Sequence, residues 1–271
     1  MNYTLSEVRT KFAENKGFNV IRVGECEIRS ILYNDNKTMY TNAGFYGDGH
    51  DLQKWKAQYI HSIMNSDILM DVYSCDAFKQ TSKLLIDLNI WKNCVPYWEE
   101  DISFWIDLCD SLIDKEICIV SYFAPEMQQQ RKMLSQIHGR PMEHNFTFIE
   151  TWNTVEGNKP HENFFETLGE LKKKIDKSNA EHFLISCGCY GLLLCDYIKS
   201  KNKNAIYVGG QLQLLFGLKG KRWDDRQRIS TLYNEHWKYP TKKPKGFENI
   251  ESGCYWGEAG KAAKAAVDTE I

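Results

Sequence analysis

Short apolar runs of strand length, separated by stretches with helical periodicity, narrow the possible folds of this chain more than any other feature. The runs are FNVIRV (18–23), DILMDVY (67–73), EICIVSYF (116–123), FTFIE (146–150), HFLISC (182–187) and AIYVG (205–209). Strands that alternate with helices pair in parallel. Strands apolar on both faces need helices on both sides. Between the runs, Leu52, Trp55, Tyr59 and Ile63 recur at steps of three and four, as do Ile102, Trp105, Ile106, Leu108 and Cys109, which predicts helices with one buried stripe. The expected class is therefore α/β, an open, mostly parallel, doubly wound sheet with helices on both faces. In such folds ligands lie in the crevice at the carboxyl ends of the strands.

The chain has 271 residues, enough for a full core, with no internal repeat and no linker-like stretch, so one domain over 1–256 is expected. The segment GEAGKAAKAAVDTEI (257–271) has almost no large apolar residue and reads as a flexible tail. Lys plus Arg total 34 against 36 for Asp plus Glu, so no overall positive field is available to hold nucleic acid. The best apolar run, FLISCGCYGLLLC, stops short of the roughly 18 residues a membrane span requires, and no secretory signal opens the chain. Nine cysteines, an odd number, with several inside apolar runs, predict free thiols in a reducing, cytoplasmic setting.

Three turns could carry chemistry. The first strand runs into Arg22, Val23, Gly24, Glu25, Cys26 and Glu27. In extended chain, residues two apart point the same way, whereas on a helix they diverge by about 200°. Glu25 and Glu27 therefore converge only if the following helix starts after them, at Ile28. Converging, they would hold a hard divalent cation, or one would act as a general base. Otherwise both simply favour the amino end of a helix through its dipole. The second turn is Gly188, Cys189, Tyr190 and Gly191, where a strand ends before a helix and backbone amides could face a phosphate. The third begins Gly209, Gly210, Gln211 and continues to Lys219, Lys221 and Arg222, glycines for close approach followed by three cations suited to a diphosphate. Neither GxGxxG nor GxxxxGK[ST] occurs, which removes support from dinucleotide oxidoreductases and P-loop enzymes. The histidines form no HExxH pair, and no GxSxG elbow exists. The aromatic residues Tyr233, Trp237, Tyr239, Tyr255 and Trp256 read as core or subunit contacts, and would supply the interface of a homo-oligomer.

RVGECE resembles the RxGDGE motif of GT-D-type glycosyltransferases, and CGCYG through AIYVGGQLQLLFGLKGKRWD resembles the later nucleotide-side segment of the same family. The resemblance extends through TNAGFY (41–46), SYFAPEMQQQ (121–130), WNTVEGN (152–158), LYNEHWKYP and ESGCYW. It implies a Rossmann-like glycosyltransferase fold, a nucleotide-diphosphate sugar donor, a glycan or glycoconjugate acceptor, and a divalent metal, usually manganese, associated with a DxE motif. By position, Glu25 and Glu27 match the acidic pair of that motif, with Glu25 replacing Asp and Cys26 replacing Gly. On this reading Glu27 and Glu25 are the catalytic and metal-binding residues. Arg22, Gly24, Asn42, Gly188, Tyr190, Gly191, Gly209, Gly210, Gln211, Lys219, Lys221 and Arg222 would surround the nucleotide sugar. A protein that binds a nucleotide sugar or glycan on the same scaffold without catalysis is the alternative.

Overall fold

The computed structural model describes residues 3–72, 83–89, 93–97 and 102–257. Its centre is a seven-stranded sheet in which every pairing is parallel. The strands are β1 (Asn19–Arg22), β2 (Ile68–Val72), β3 (Asn93–Tyr97), β4 (Glu116–Ser121), β5 (Asn145–Glu150), β6 (His182–Ser186) and β7 (Asn204–Tyr207), in the order β3-β2-β1-β7-β6-β4-β5. This is the expected class, an α/β Rossmann-like architecture, with one strand more than the apolar runs suggested. The additional strand, β3, carries Pro96, which has no N–H to donate, and it occupies the sheet edge, where a missing ladder bond costs least. Tyr73, the last residue of the second apolar run, and the tail from 258 to 271 lie outside the described residues.

Period-two alternation divides the strands between two cores. Val20, Ile68, Ile117, Ile119, Leu184 and Ile206 pack on one face, and Ile21, Leu69, Cys118, Val120, Phe183, Ile185 and Ala205 on the other. The second face is covered by the helices Glu25–Tyr33, Gly49–Asn65, Phe164–Asp176 and Gly191–Ser200, which contribute Ile28, Trp55, Leu168 and Leu194. The first is covered by Leu5–Glu14, Ser103–Asp110, Ala124–Gln130 and Gln211–Leu215, through Phe12, Trp105, Met127 and Leu212. The two stripes read from the sequence are present: Leu52, Trp55, Tyr59 and Ile63 are all buried, as are Trp105, Ile106, Leu108 and Cys109.

Paired polar side chains lock the amino-terminal edge of the sheet. Asn204 accepts a hydrogen bond from the Phe18 amide at 3.0 Å and donates to the carbonyls of Phe12 and Asn15, while Asn19 and Asp67 exchange bonds with each other's backbone amides. These bonds set the register of β1 against both neighbours. A register slip would turn every core residue of the strand outward.

The chain leaves β1 for one face of the sheet and leaves its neighbour β7 for the other, since Ile28 packs in the second core and Leu212 in the first. Adjacent strands whose following segments diverge open a crevice at their carboxyl ends. No helix among the described residues is long and apolar enough to cross a membrane. The cysteines described are free thiols.

Candidate active-site cleft

That crevice is a cavity of about 610 Å³. Its walls are the carboxyl ends of five strands: Arg22 to Glu27 after β1, Ser121 to Phe123 after β4, Thr151 to Val155 after β5, Ser186 to Gly188 after β6, and Tyr207, Gly209 and Gly210 after β7. Thr38, Asn42, Arg222, Arg226, Glu251, Tyr255 and Trp256 are among the other residues that line it.

The helix after β1 begins at Glu25, with Gly24 as its N-cap, rather than after the acidic pair. Both carboxylates therefore belong to the first turn and diverge around the helix. Glu25 is half-exposed and lies 3.8 Å from Arg29, one turn along. Glu27 is 4% exposed and folds back over the helix start, so that a Cβ at Gly24 would fall 2.0 Å from its Oε2. The N-cap must be glycine for this fold-back to fit. Burial pushes the Glu27 carboxyl above the ordinary range, the Arg22 guanidinium opposes that rise, and Glu251 adds to it. Burial also raises the phenols of Tyr59 and Tyr207 and the thiol of Cys189, with the Glu27 charge the next cause for each. Cys26 is pushed up to about 12 by burial and by Glu27, which leaves it a thiol and a poor nucleophile.

Arg22, Arg222 and Arg226 line the same cleft as Glu27, and the charge of Arg22 acts on its carboxyl. The Arg22 guanidinium lies against the bare α-carbon of Gly209, where a Cβ would fall 2.3 Å from Nη1. Gly209 also adopts φ +72°, a left-handed conformation costly to other residues. Arg222 lies 3.5 Å from Glu251 and over the ring of Tyr255 at 5.2 Å, and Arg226 joins it in the lining. Glu251 and Ser252 themselves have positive φ values of 47° and 58°, a strained backbone beside a concentrated charge cluster. Gly188, at φ +55°, passes so close to the π-helical turn Met39–Ala43 that a Cβ would sit 2.4 Å from the Ala43 carbonyl oxygen. This contact brings Asn42 and Ala43 to the cleft beside the β6 turn.

Of the residues proposed from sequence, Arg22, Gly24, Glu25, Glu27, Asn42, Gly188, Gly209, Gly210 and Arg222 line this one cavity. Tyr190, Gly191, Gln211, Lys219 and Lys221 do not. Tyr190 is buried and stacked on Phe164 at 4.2 Å, and Gly191 gives room to the Tyr207 ring, which a Cβ would approach to 2.4 Å. Gln211 is buried and accepts a bond from the Trp105 indole at 2.6 Å. The Lys219 ammonium sits over the rings of Tyr233 and Tyr239, and Lys221 is exposed outside the cleft. The basic run is thus split by the helix Lys221–Asp224, which turns Arg222 inward.

Sequence reasoning missed Arg226, Glu251 and the segment after β5, and assigned Tyr255 and Trp256 to the core or an interface. Only the quoted WNTVEGN and ESGCYW segments hinted at these contributions. Trp237 and Trp256 are buried against the first core, which makes the aromatic carboxyl-terminal third largely an internal packing element.

The divergence of Glu25 and Glu27 does not fit a divalent cation held between the two. Among the described residues, the group of metal-ligating atoms that does cluster is Asp48, His50 and Asp51, within 4.8 Å of one another. These residues sit at the start of the helix Gly49–Asn65, where Asp48 caps the Asp51 amide at 2.8 Å, and they do not line the cleft. Comparison with protein-family models, with curated proteins and with solved structures finds no match to this chain.

Proposed function

We propose that the protein is a GT-D-type glycosyltransferase that moves a sugar from a nucleotide-diphosphate donor to a hydroxyl of a glycan or glycoconjugate. The observation that carries the reading is that a buried carboxylate, Glu27, lines one crevice at the β1/β7 switch point together with Arg22, Arg222, Arg226 and the Gly209–Gly210 turn. The resemblance of RVGECE and of the 182–224 segment to that family supports it.

In this reading the donor diphosphate lies against the three guanidinium groups, which form charge-assisted, bidentate bonds to phosphate oxygens. The acceptor oxygen forms a bond to the anomeric carbon as the bond from that carbon to the phosphate oxygen breaks. The leaving diphosphate takes the electron pair and gains stabilisation from charges already in place. The acceptor proton passes to the Glu27 carboxylate. A carboxyl group raised toward neutrality is a stronger base than an ordinary one, provided it is ionised at the working pH. No step is assigned to manganese, because Glu25 and Glu27, though both reach the cleft, diverge from the first turn of one helix. Glu25 instead restrains Arg29 at the rim.

The test is a panel of uridine, guanosine and thymidine diphosphate sugars, incubated with the protein with and without manganese and followed by nucleoside diphosphate release. Release from at least one donor supports the proposal, and silence across the panel rejects it. The split of Glu25 from Glu27 favours one further reading, a nucleotide-sugar binder without turnover. A bound donor recovered intact over hours with acceptor present would favour that binder.

A further inference from the structure

A second hollow of about 420 Å³ lies beside the arginine cleft, at the carboxyl ends of β4 and β5. Tyr122, Thr151, Trp152 and Asn153 line both cavities, so the two are neighbours that share that strip as a common wall. The chemistry of the second compartment differs from that of the first. Two partly exposed rings form its floor, each with an ammonium above it: Lys174 lies 3.9 Å from the Trp152 centroid and Lys242 lies 4.5 Å from that of Tyr122. Lys159 stands exposed at the rim.

Among the described residues of this lining the carboxylate is Glu150, which contacts Lys242. Lys174 donates to a neutral partner, the Glu150 carbonyl oxygen, at 2.8 Å. Lys174 and Lys242 over the rings and Lys159 at the rim outnumber Glu150 in the lining and Glu170, whose charge also acts on Lys174, which leaves a modest positive surplus. Burial lowers the Lys174 ammonium below the ordinary lysine value despite the opposing pull of Glu150, so the ammonium is partly stripped of water. An anion placed there would find two ammonium groups and, at the rim, a third within one hollow. The parts of Trp152 and Tyr122 that Lys174, His161 and Lys242 leave exposed offer amphipathic surface of the kind that covers the apolar face of a sugar.

We infer that this hollow is a binding site for a sugar that carries an acidic group, carboxylate or phosphate, with the ring on Trp152 or Tyr122 and the anion among Lys159, Lys174 and Lys242. Its role as the acceptor subsite rests on the glycosyltransferase reading, whereas its preference for anionic sugars does not. A sugar seated there would present its hydroxyls across the shared strip toward the cleft that holds Glu27.

The experiment titrates the full chain with cellobiouronic acid, glucose 6-phosphate and neutral cellobiose, with UDP, GDP and TDP measured in parallel. At least one of the two acidic sugars should bind about tenfold or more tightly than cellobiose, and the tighter of the two identifies the group preferred. Lys159→Ala combined with Lys174→Ala should erase that preference while leaving cellobiose and nucleotide binding unchanged. Trp152→Ala should weaken all three sugars. Equal affinity for acidic and neutral sugars, or a preference that survives the double lysine variant, would overturn the inference. The preference with no nucleotide binding would sink the transferase reading and leave the anionic-sugar site standing. Nucleotide binding without the preference would do the reverse.

Discussion

Glu27 faces conflicting demands. Its burial favours the neutral acid, while the proposed chemistry needs the anion. Because its folded carboxyl titrates above the unfolded one, the native state binds the extra proton between the two values, and stability falls as pH rises through that window. Glu27→Gln removes the penalty. The variant is expected to melt at a higher temperature than the parent at pH 8, with the gap closing toward pH 4, in thermal unfolding followed across pH. A gap that widens on acidification would show that the Glu27 charge is stabilised rather than strained. The parent's turnover should rise with pH through the raised Glu27 value, since only the ionised form accepts a proton. Gly209 offers a second residue-scale test. Gly209→Ala meets both a left-handed φ and the Arg22 guanidinium, and should cost about 1–3 kcal/mol in denaturant unfolding and weaken nucleotide binding as well. A variant with parental stability and affinity would mean that Arg22 is not held by that close approach.

At the scale of elements, the start of the helix Glu25–Tyr33 decides the chemistry. Had it begun at Ile28, two carboxylates would face one way and a metal would be the natural partner. Because it begins at Glu25, the arginines remain to neutralise a diphosphate. Chelation with EDTA should therefore change nucleoside diphosphate affinity less than about twofold. Arg222→Ala should reduce it about tenfold or more, the scale of one charge-assisted pair. Metal-dependent binding in calorimetry would contradict this account of the helix. The same element marks where the sequence stopped being legible. The spacing of Glu25 and Glu27 posed the two alternatives correctly, yet a helix start is decided by a cap, and Gly24 has no side chain to announce one. The strands were legible because each carries a short run of large apolar residues, and β3 was not because Pro96 breaks the pattern of an edge strand. Lys219, Lys221 and Arg222 looked equivalent in the chain, but four residues of helix gave them three different destinations. Arg226 was invisible, and Glu251 was marked only by the ESGCYW segment, because neither lies in a turn directly after a strand and only tertiary packing brings them to the cleft.

Across the whole molecule, the switch between β1 and β7 gathers turns from the start, middle and end of the chain around one crevice. Its strands are anchored by two cores, so the crevice depends on packing far from it. Ile119→Ala, in the centre of β4 and fully buried, should destabilise by about 2–5 kcal/mol in denaturant unfolding, while a folded fraction retains its nucleotide affinity. Loss of affinity in the folded fraction would mean that the cleft is not a rigid property of the sheet ends. The central claim is that Glu27 and the arginine wall act on a single donor between them. Its most direct measurement is single-turnover release of nucleoside diphosphate from the best donor of the panel, with the parent and Glu27→Gln compared in the same titration. The account predicts equal donor binding and release at least about 100-fold slower in the variant; equal rates in the two proteins would contradict it.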